Sequence, residues 1–374
     1  MAVPFTGEEE KQHSLDAIAE LSRQGYRSLK KNDISAAESF FSRILELDPD
    51  NNYALVGLGD AARKQNKFDR AAAYYNECLA AHPGNNYALF GLADCYKSQD
   101  RYTQAIAIWE KYLECDEQNV TVLTRIANAY RKIHDFDRSN EFYQRVLAVE
   151  KDNVYALIGL GHLHYDFKEY RTALAYWTRM LQLNEGAVDI RVLTSIGNCH
   201  RKLKTFEQGI PYFERALEMD GRNFYALFGI ADCYRGMNEH RKSIEYWNRI
   251  LEIDPNNKII LTRIGDAYRS FGDYKTATNY YNRTLDIDFD IYAALGLALI
   301  CKDEGKYDEA IERLQRLISG DAKNYRLYID LASCYEKMNQ KQRAIEALER
   351  AQHYGVHHQA IGAELERLKS SNGR

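Results

Sequence analysis

Residues 87–97 read YALFGLADCYK and residues 225–235 read YALFGIADCYR, identical except for Leu→Ile and Lys→Arg. Both stretches set an acid three residues before a base: Asp94 before Lys97, Asp232 before Arg235. On a helix that spacing permits a surface ion pair, worth only about 0.2–0.5 kcal/mol by itself. Other residue types hint at chemistry elsewhere. GLGDAA (57–62) mimics a dinucleotide-binding GxGxxA, but that motif needs a strand before it and a helix starting at it. His162 and His164, two apart on a helix, face different ways and make a poor metal pair. His353, His357 and His358 read as a loop-edge cluster. Seven cysteines without a CxxC spacing suggest neither a disulfide framework nor a zinc site. No catalytic constellation, metal site or cofactor site is expected, and the chain reads as non-enzymatic.

Stepping out from these residues, the 374-residue chain is 45% hydrophobic and carries a net charge of −4, against the basic excess of a non-specific nucleic-acid binder. No apolar run approaches the ~20 residues that cross a bilayer. The N-terminus MAVPFTGEEEKQH lacks the apolar core of a secretory signal. Free thiols persist most easily in a reducing compartment. The sequence-level expectation is therefore a cytoplasmic protein without nucleic acid or membrane insertion.

The elements that position the charged pairs repeat. Shifting the chain by 34 residues aligns NYALVGLGDAARKQNKFDRAAAYYNECLAAHPGN (52–85) with NYALFGLADCYKSQDRYTQAIAIWEKYLECDEQN (86–119). Further units begin at Val120, Val154, Ile190, Phe224, Lys258, Ile291 and Tyr325, and an earlier one near Ile18. Each holds two apolar-periodic stretches separated by a polar hinge such as FGDY (271–274) or EGKY (304–307), which predicts a helix pair. One pair cannot bury its apolar face alone, so neighbours must stack.

In the third unit, Leu89, Leu92, Ala93, Tyr96, Ala105 and Trp109 fall at positions 4, 7, 8, 11, 20 and 24, while position 32 is Glu117. Pro49, Pro83 and Pro255 fill position 32 in other units. With these residues the chain resembles the tetratricopeptide repeat family, apart from Glu117 at the usual proline. The resemblance covers nearly the whole chain. It implies an all-α fold, a right-handed α-solenoid superhelix of helix-turn-helix units. The expected organisation is an N-terminal extension (1–17), about ten units in one continuous superhelix (18–358), and a capping helix with tail (359–374). Gly209 stands where Ala is expected, and Pro211 should bend the start of its helix. Extra residues around Asn184–Asp189 lengthen the loop before that unit.

A longer period overlies the shorter one. Units with Tyr-Ala-Leu-x-Gly, at Tyr53, Tyr87, Tyr155 and Tyr225, alternate from residue 86 to 290 with units carrying Leu-Thr-(Arg/Ser)-Ile, at Leu123, Leu193 and Leu261. Duplication of a two-repeat block accounts for this, as does a groove whose chemistry repeats every 68 residues. The first type places Gly57, Gly91, Gly159, Gly229 and, later, Gly296 at position 6, where mid-helix glycine costs about 1 kcal/mol relative to alanine. Either a ligand or a tightly packed helix near the backbone would explain them.

The resemblance also implies that positions 2, 5, 6, 9, 12 and 13 of the first helices point into a concave groove that binds a protein or peptide segment. Position 2 holds Tyr53, Tyr87, Tyr155 and Tyr225. Position 9 runs Asp60, Asp94, Asn128, His162, Asn198, Asp232, Asp266. Position 12 runs Arg63, Lys97, Arg131, Tyr165, Arg201, Arg235, Arg269, and Arg125 and Arg263 stand at position 6. Guanidinium groups held by acids, with tyrosines beside them, suit an extended polar peptide. The family's chaperone-tail carboxylate clamp needs Lys at position 5, which holds Val56, Phe90, Thr124, Ile158, Thr194, Phe228 and Thr262. Its sugar-transferase asparagine ladder needs Asn at position 6, which holds Gly, Arg or Ser, so neither scheme applies. The expected function is a protein–protein interaction scaffold. Self-association in an assembly, or service as the targeting subunit of an enzyme complex, are the alternatives.

Overall fold

A computed structural model describes residues 7–183 and 189–370, with side chains from Leu15 onward. Residues 184–188, which hold most of the expected loop insertion, and 371–374, the expected tail, lie outside the described residues. Twenty-one helices and no strands occur among the described residues. None of these helices is long and apolar enough to cross a membrane.

Each repeat after the first begins with an asparagine or aspartate that caps a 13-residue helix. Asn85 Oδ1 accepts from the Ala88 amide at 3.0 Å ahead of helix Asn86–Ser98. Asn51, Asn119, Asn153, Asn223 and Asn257 do the same in their repeats. Such a cap satisfies one of the orphan donors at a helix start, worth about 1 kcal/mol each. The polar hinge then closes the helix with a left-handed residue: Asn66, Asp100, His134, Asn238 or Gly272, at φ between 57° and 77°. The Arg101 amide reaches back to the Tyr96 carbonyl at 2.9 Å and the Asp100 amide to Lys97 at 3.1 Å, the Schellman pattern that satisfies the last carbonyls. A second helix of about 14 residues follows, Tyr102–Cys115 in this repeat.

A large ring at position 24 of each second helix fills the space between helices. Phe41, Tyr75, Trp109, Tyr143, Trp177, Phe213, Trp247 and Tyr281 are all buried. Where the ring is Tyr or Phe, its far edge abuts the position-6 glycine of the following repeat: Phe41 on Gly57, Tyr75 on Gly91, Tyr143 on Gly159, Phe213 on Gly229, Tyr281 on Gly296. A Cβ at any of these would stand well under 3.0 Å from ring atoms. The mid-helix glycines are therefore occupied from inside the fold, which settles that alternative for helix packing. Behind Trp109 and Trp247, position 6 is instead Arg125 and Arg263. The 68-residue period thus has a steric component: ring type and following residue alternate together. Rings at positions 11 and 23 of a repeat also stack, as in Tyr130–Phe142, Tyr234–Tyr246, Tyr268–Tyr280, His164–Tyr176 and His200–Tyr212.

The chain divides into two compact units, Met1–Val188 and Asp189–Arg374. The first contains five helix pairs, and its opening helix, Gly7–Lys30, begins inside the stretch expected as an extension. The second contains five more pairs and a final helix, Gln359–Ser370, which buries Ile361, Leu365 and Leu368 against the last repeat. Both units are α-solenoids. In the second, helix Phe206–Met219 runs through Pro211. A Cβ on Gly209 would meet the Gly197 carbonyl at 3.1 Å and His200 Cβ at 3.0 Å, so the missing side chain lets these two helices approach.

Candidate functional site

With positions 3, 4, 7, 8 and 10 of the first helices turned inward, the face left over carries the residues singled out above. The position-2 tyrosines Tyr53, Tyr87, Tyr155, Tyr225 and Tyr292 are all exposed, Tyr87 at 79% and Tyr225 at 69%. Behind them lies a network of ion pairs between neighbouring first helices.

In the first unit the network centres on Asp94. Its carboxylate accepts from Arg125 of the following repeat and lies 3.5 Å from Arg63 of the preceding one. The expected partner Lys97, on the same helix, makes no ion pair among the described residues and is exposed. The second unit builds the same arrangement around Asp232, only 4% exposed: Arg201 at 2.7 Å, Arg235 at 3.1 Å, and Arg263. The i, i+3 pair forms at Asp232–Arg235 but not at Asp94–Lys97. The acids mainly bind across repeats and hold arginines in place, so Asp232 is an internal strut and not a surface contact.

One pair of side chains escaped the sequence-level reading. The Arg125 guanidinium stacks over Phe90 at 4.5 Å from the ring centre, and Arg263 over Phe228 at 4.8 Å. Phe occupies position 5 in the two YALFG units, whereas Val56 and Ile158 stand there in their relatives. That difference was the available signal. Burial pushes the Arg263 pKa down, with Arg235 and Arg201 adding to this against the pull of Asp232.

Three further position-9 residues serve the core tyrosines. Tyr75 donates to Asp60 at 2.7 Å, Tyr143 to Asn128 at 2.9 Å, and Tyr281 to Asp266 at 2.7 Å. Asp60 also pairs with Arg63 at 3.2 Å. Crowding by protein raises the Asp266 pKa despite the Tyr281 hydroxyl and the Arg269, Arg263 and Arg235 charges nearby. Asn198 accepts from Arg201 at 3.2 Å. Arg131 and Arg269 reach the next repeat at position 13, Asp166 and Asp303, each at 2.7 Å. Those two acids were also not singled out as partners. His162 packs edge-on against Trp177, and Tyr165 against Tyr170 and Trp177.

Two equivalent cavities flank the arginine clusters. One of about 330 Å³ is lined by Lys97, Tyr102, Trp109, Arg125 and Asn128. Its counterpart, about 610 Å³, is lined by Arg235, His240, Arg263 and Asp266 at the corresponding positions. Elsewhere six of the seven thiols are buried, and Cys115 is exposed. Burial pushes the thiols of Cys199 and Cys233 up to about 12 and those of Cys95 and Cys334 up to about 11, far from thiolate reactivity. Gly59 of GLGDAA lies against Tyr75 inside the hairpin. No group of three metal-ligating side chains occurs among the described residues.

Stacked helical hairpins with ring-and-small-residue interlocks define an α-solenoid repeat protein. Tetratricopeptide repeat models match residues 23–86, 56–120, 124–188, 197–258, 260–291 and 302–363, and the chain belongs to the tetratricopeptide repeat family. No curated protein matches the chain. Among solved structures it is similar to a tetratricopeptide repeat protein from Parabacteroides merdae ATCC 43184, at 15% identity and TM-score 0.51, covering 67% of this chain and 99% of that one. It is also similar to PilW, described as a type IV pilus biogenesis factor, at 14% identity and TM-score 0.50, covering 56% and 96%. At these identities the likeness is one of fold.

Proposed function

We propose that the chain is a protein-interaction scaffold whose first-helix face binds an extended or helical segment of a partner protein. The observation that carries this reading is the column of exposed tyrosines beside an ordered arginine network. The cores are complete without those rings, and holding large aromatic surface in water is unfavourable unless a partner covers it. Tyrosine and arginine are also the side chains that dominate protein interfaces. The contact residues in this reading are the position-2 tyrosines, Lys97, and the arginines at positions 6 and 12. Asp60, Asp94, Asp232 and Asp266 position them.

Panning a random peptide display library on the full chain provides the test. Selected peptides should lose about tenfold or more in affinity for Tyr87→Ala and Tyr225→Ala variants that keep their helical circular dichroism. Undiminished binding to both variants would remove this face from the proposal.

A further inference from the structure

The two copies of the YALFG phrase build the same charged constellation, one in each unit, and its charges do not balance. Asp94 meets Arg63, which Asp60 also holds, and Arg125, with Lys97 on the same cavity wall as Arg125; Asp232 meets Arg201, Arg235 and Arg263. Each cluster thus sets three cations against two carboxylates, Asp60 and Asp94 in the first, Asp232 and Asp266 in the second. The other polar residue of the wall, Asn128 or Asp266, already accepts from a core tyrosine. Crowded guanidiniums in a partly dehydrated place repel one another, and the lowered Arg263 pKa has that repulsion among its causes.

A second feature points the same way. Trp109 and Trp247 are fully buried beside these clusters, and neither indole N–H has a hydrogen-bond partner. Trp177, in the repeat without the cluster, gives its N–H to the Ile158 carbonyl at 3.3 Å. Lys97 and Arg125 line the first cavity and Arg235 and Arg263 the second, so both walls carry cationic donors. Stacking on Phe90 or Phe228 fixes the inner guanidinium before any ligand arrives, which reduces the ordering cost of binding.

We propose that each cluster is a seat for one aspartate or glutamate side chain of an acidic partner segment. Arg125 and Arg263 hold the incoming carboxylate, and Lys97 or Arg235 closes the open side. The outer tyrosines, Tyr87 and Tyr225, flank the segment. The occupant is peptide and not a general polyanion, because the cations are few, struck to buried aspartates, and bordered by aromatic rings. This assignment rests on the first-helix face being the binding face.

The test uses fluorescein-labelled peptides of about twelve residues, with Asp, Glu, Tyr, Leu and Gly in randomised order, against a matched set with Asn and Gln for the acids. Binding to the full chain is read by anisotropy. The acidic set should bind at least about tenfold more tightly than the amide set. Arg125→Gln and Arg263→Gln should each weaken it several-fold, and the double variant should abolish the difference between the sets, with circular dichroism unchanged. Equal binding of both sets, no binding of the acidic set at millimolar concentration, or full acidic-set binding to the double variant would overturn the seats. Equally tight, arginine-dependent binding of a heparin fragment or a single-stranded oligonucleotide would overturn the peptide assignment. If the amide set binds and depends on Tyr87 and Tyr225, the face stands and only the acidic seats fall. If the acidic set binds with no dependence on those tyrosines, the seats remain and the tyrosine column drops out of the binding face.

Discussion

Arg125 rests its guanidinium over the ring of Phe90, one repeat upstream, while its tip meets Asp94 on the same helix as that ring. Arg263 repeats the relationship with Phe228 and Asp232. A flexible side chain is thereby fixed from two directions by residues four apart on one helix. This gives the duplicated phrase a physical content: Phe and Asp at positions 5 and 9 together orient the arginine of the next repeat.

Removing the platform separates orientation from charge. Phe90→Leu and Phe228→Leu keep the ion pairs and substitute the aliphatic type that Val56 and Ile158 represent in related repeats. Each should weaken acidic-peptide binding about threefold, in line with the ~0.5–1 kcal/mol of a partly exposed cation–π contact. Anisotropy titrations check this, and an unchanged affinity would mean that the ring serves packing alone.

Asp232→Asn leaves three guanidiniums around a neutral group. Breaking a buried ion pair costs about 3–5 kcal/mol. Here the arginines are partly open to solvent, so a loss near ~2 kcal/mol is expected in urea unfolding. Sulfate should restore stability to this variant more than it raises that of the parent chain, because an anion can take the place of the missing charge.

Gly91→Ala should destabilise the first unit, although alanine ordinarily favours a helix by about 1 kcal/mol. The added methyl runs into the buried Tyr75 ring, and overpacking of that kind costs about 1–3 kcal/mol. Gly84→Ala, where a Cβ meets nothing within 4 Å, is the matched control and should leave the thermal midpoint nearly unchanged. Equal midpoints for the two variants would show that the ring yields.

His200 stacks on Tyr212 and its Nδ1 lies 2.9 Å from Thr205 Oγ1, and burial lowers its pKa below the ordinary value near 6.5. A folded-state pKa that is lowered contributes stability above the unfolded value and loses it as pH falls through the folded one. His200→Tyr, which installs the residue found at this position in half of the repeats, should therefore lose less stability than the parent between pH 7 and pH 5. Urea midpoints of both proteins at the two pH values measure it, and parallel losses would contradict the assignment.

The hairpins were legible because their pattern is local: apolar-periodic stretches and polar hinges recur with the 34-residue step. The first-helix face followed from the same register once the family resemblance was in hand. What the sequence hid was pairing between repeats. Asp94 is nearest in sequence to Lys97, yet it binds Arg63 and Arg125, because adjacent first helices lie side by side and bring residues about one repeat apart together. Phe90 was legible as a residue but not as a platform, since stacking depends on the rotamer of an arginine one repeat away. The position-6 glycines admitted two explanations until the rings against them were located.

The alternation of ring and glycine also sets the step in which this chain can be edited. Excising the single repeat 86–119 would bring the Tyr75 repeat directly before Arg125, placing a long side chain where even a methyl is too large. Excising 120–153 alone would face Trp109 with Gly159 and leave the platform on Phe90 without its arginine. Removing both together restores a tyrosine followed by glycine. Between residues 86 and 290, therefore, the chain can be shortened in pairs of repeats more easily than in single ones.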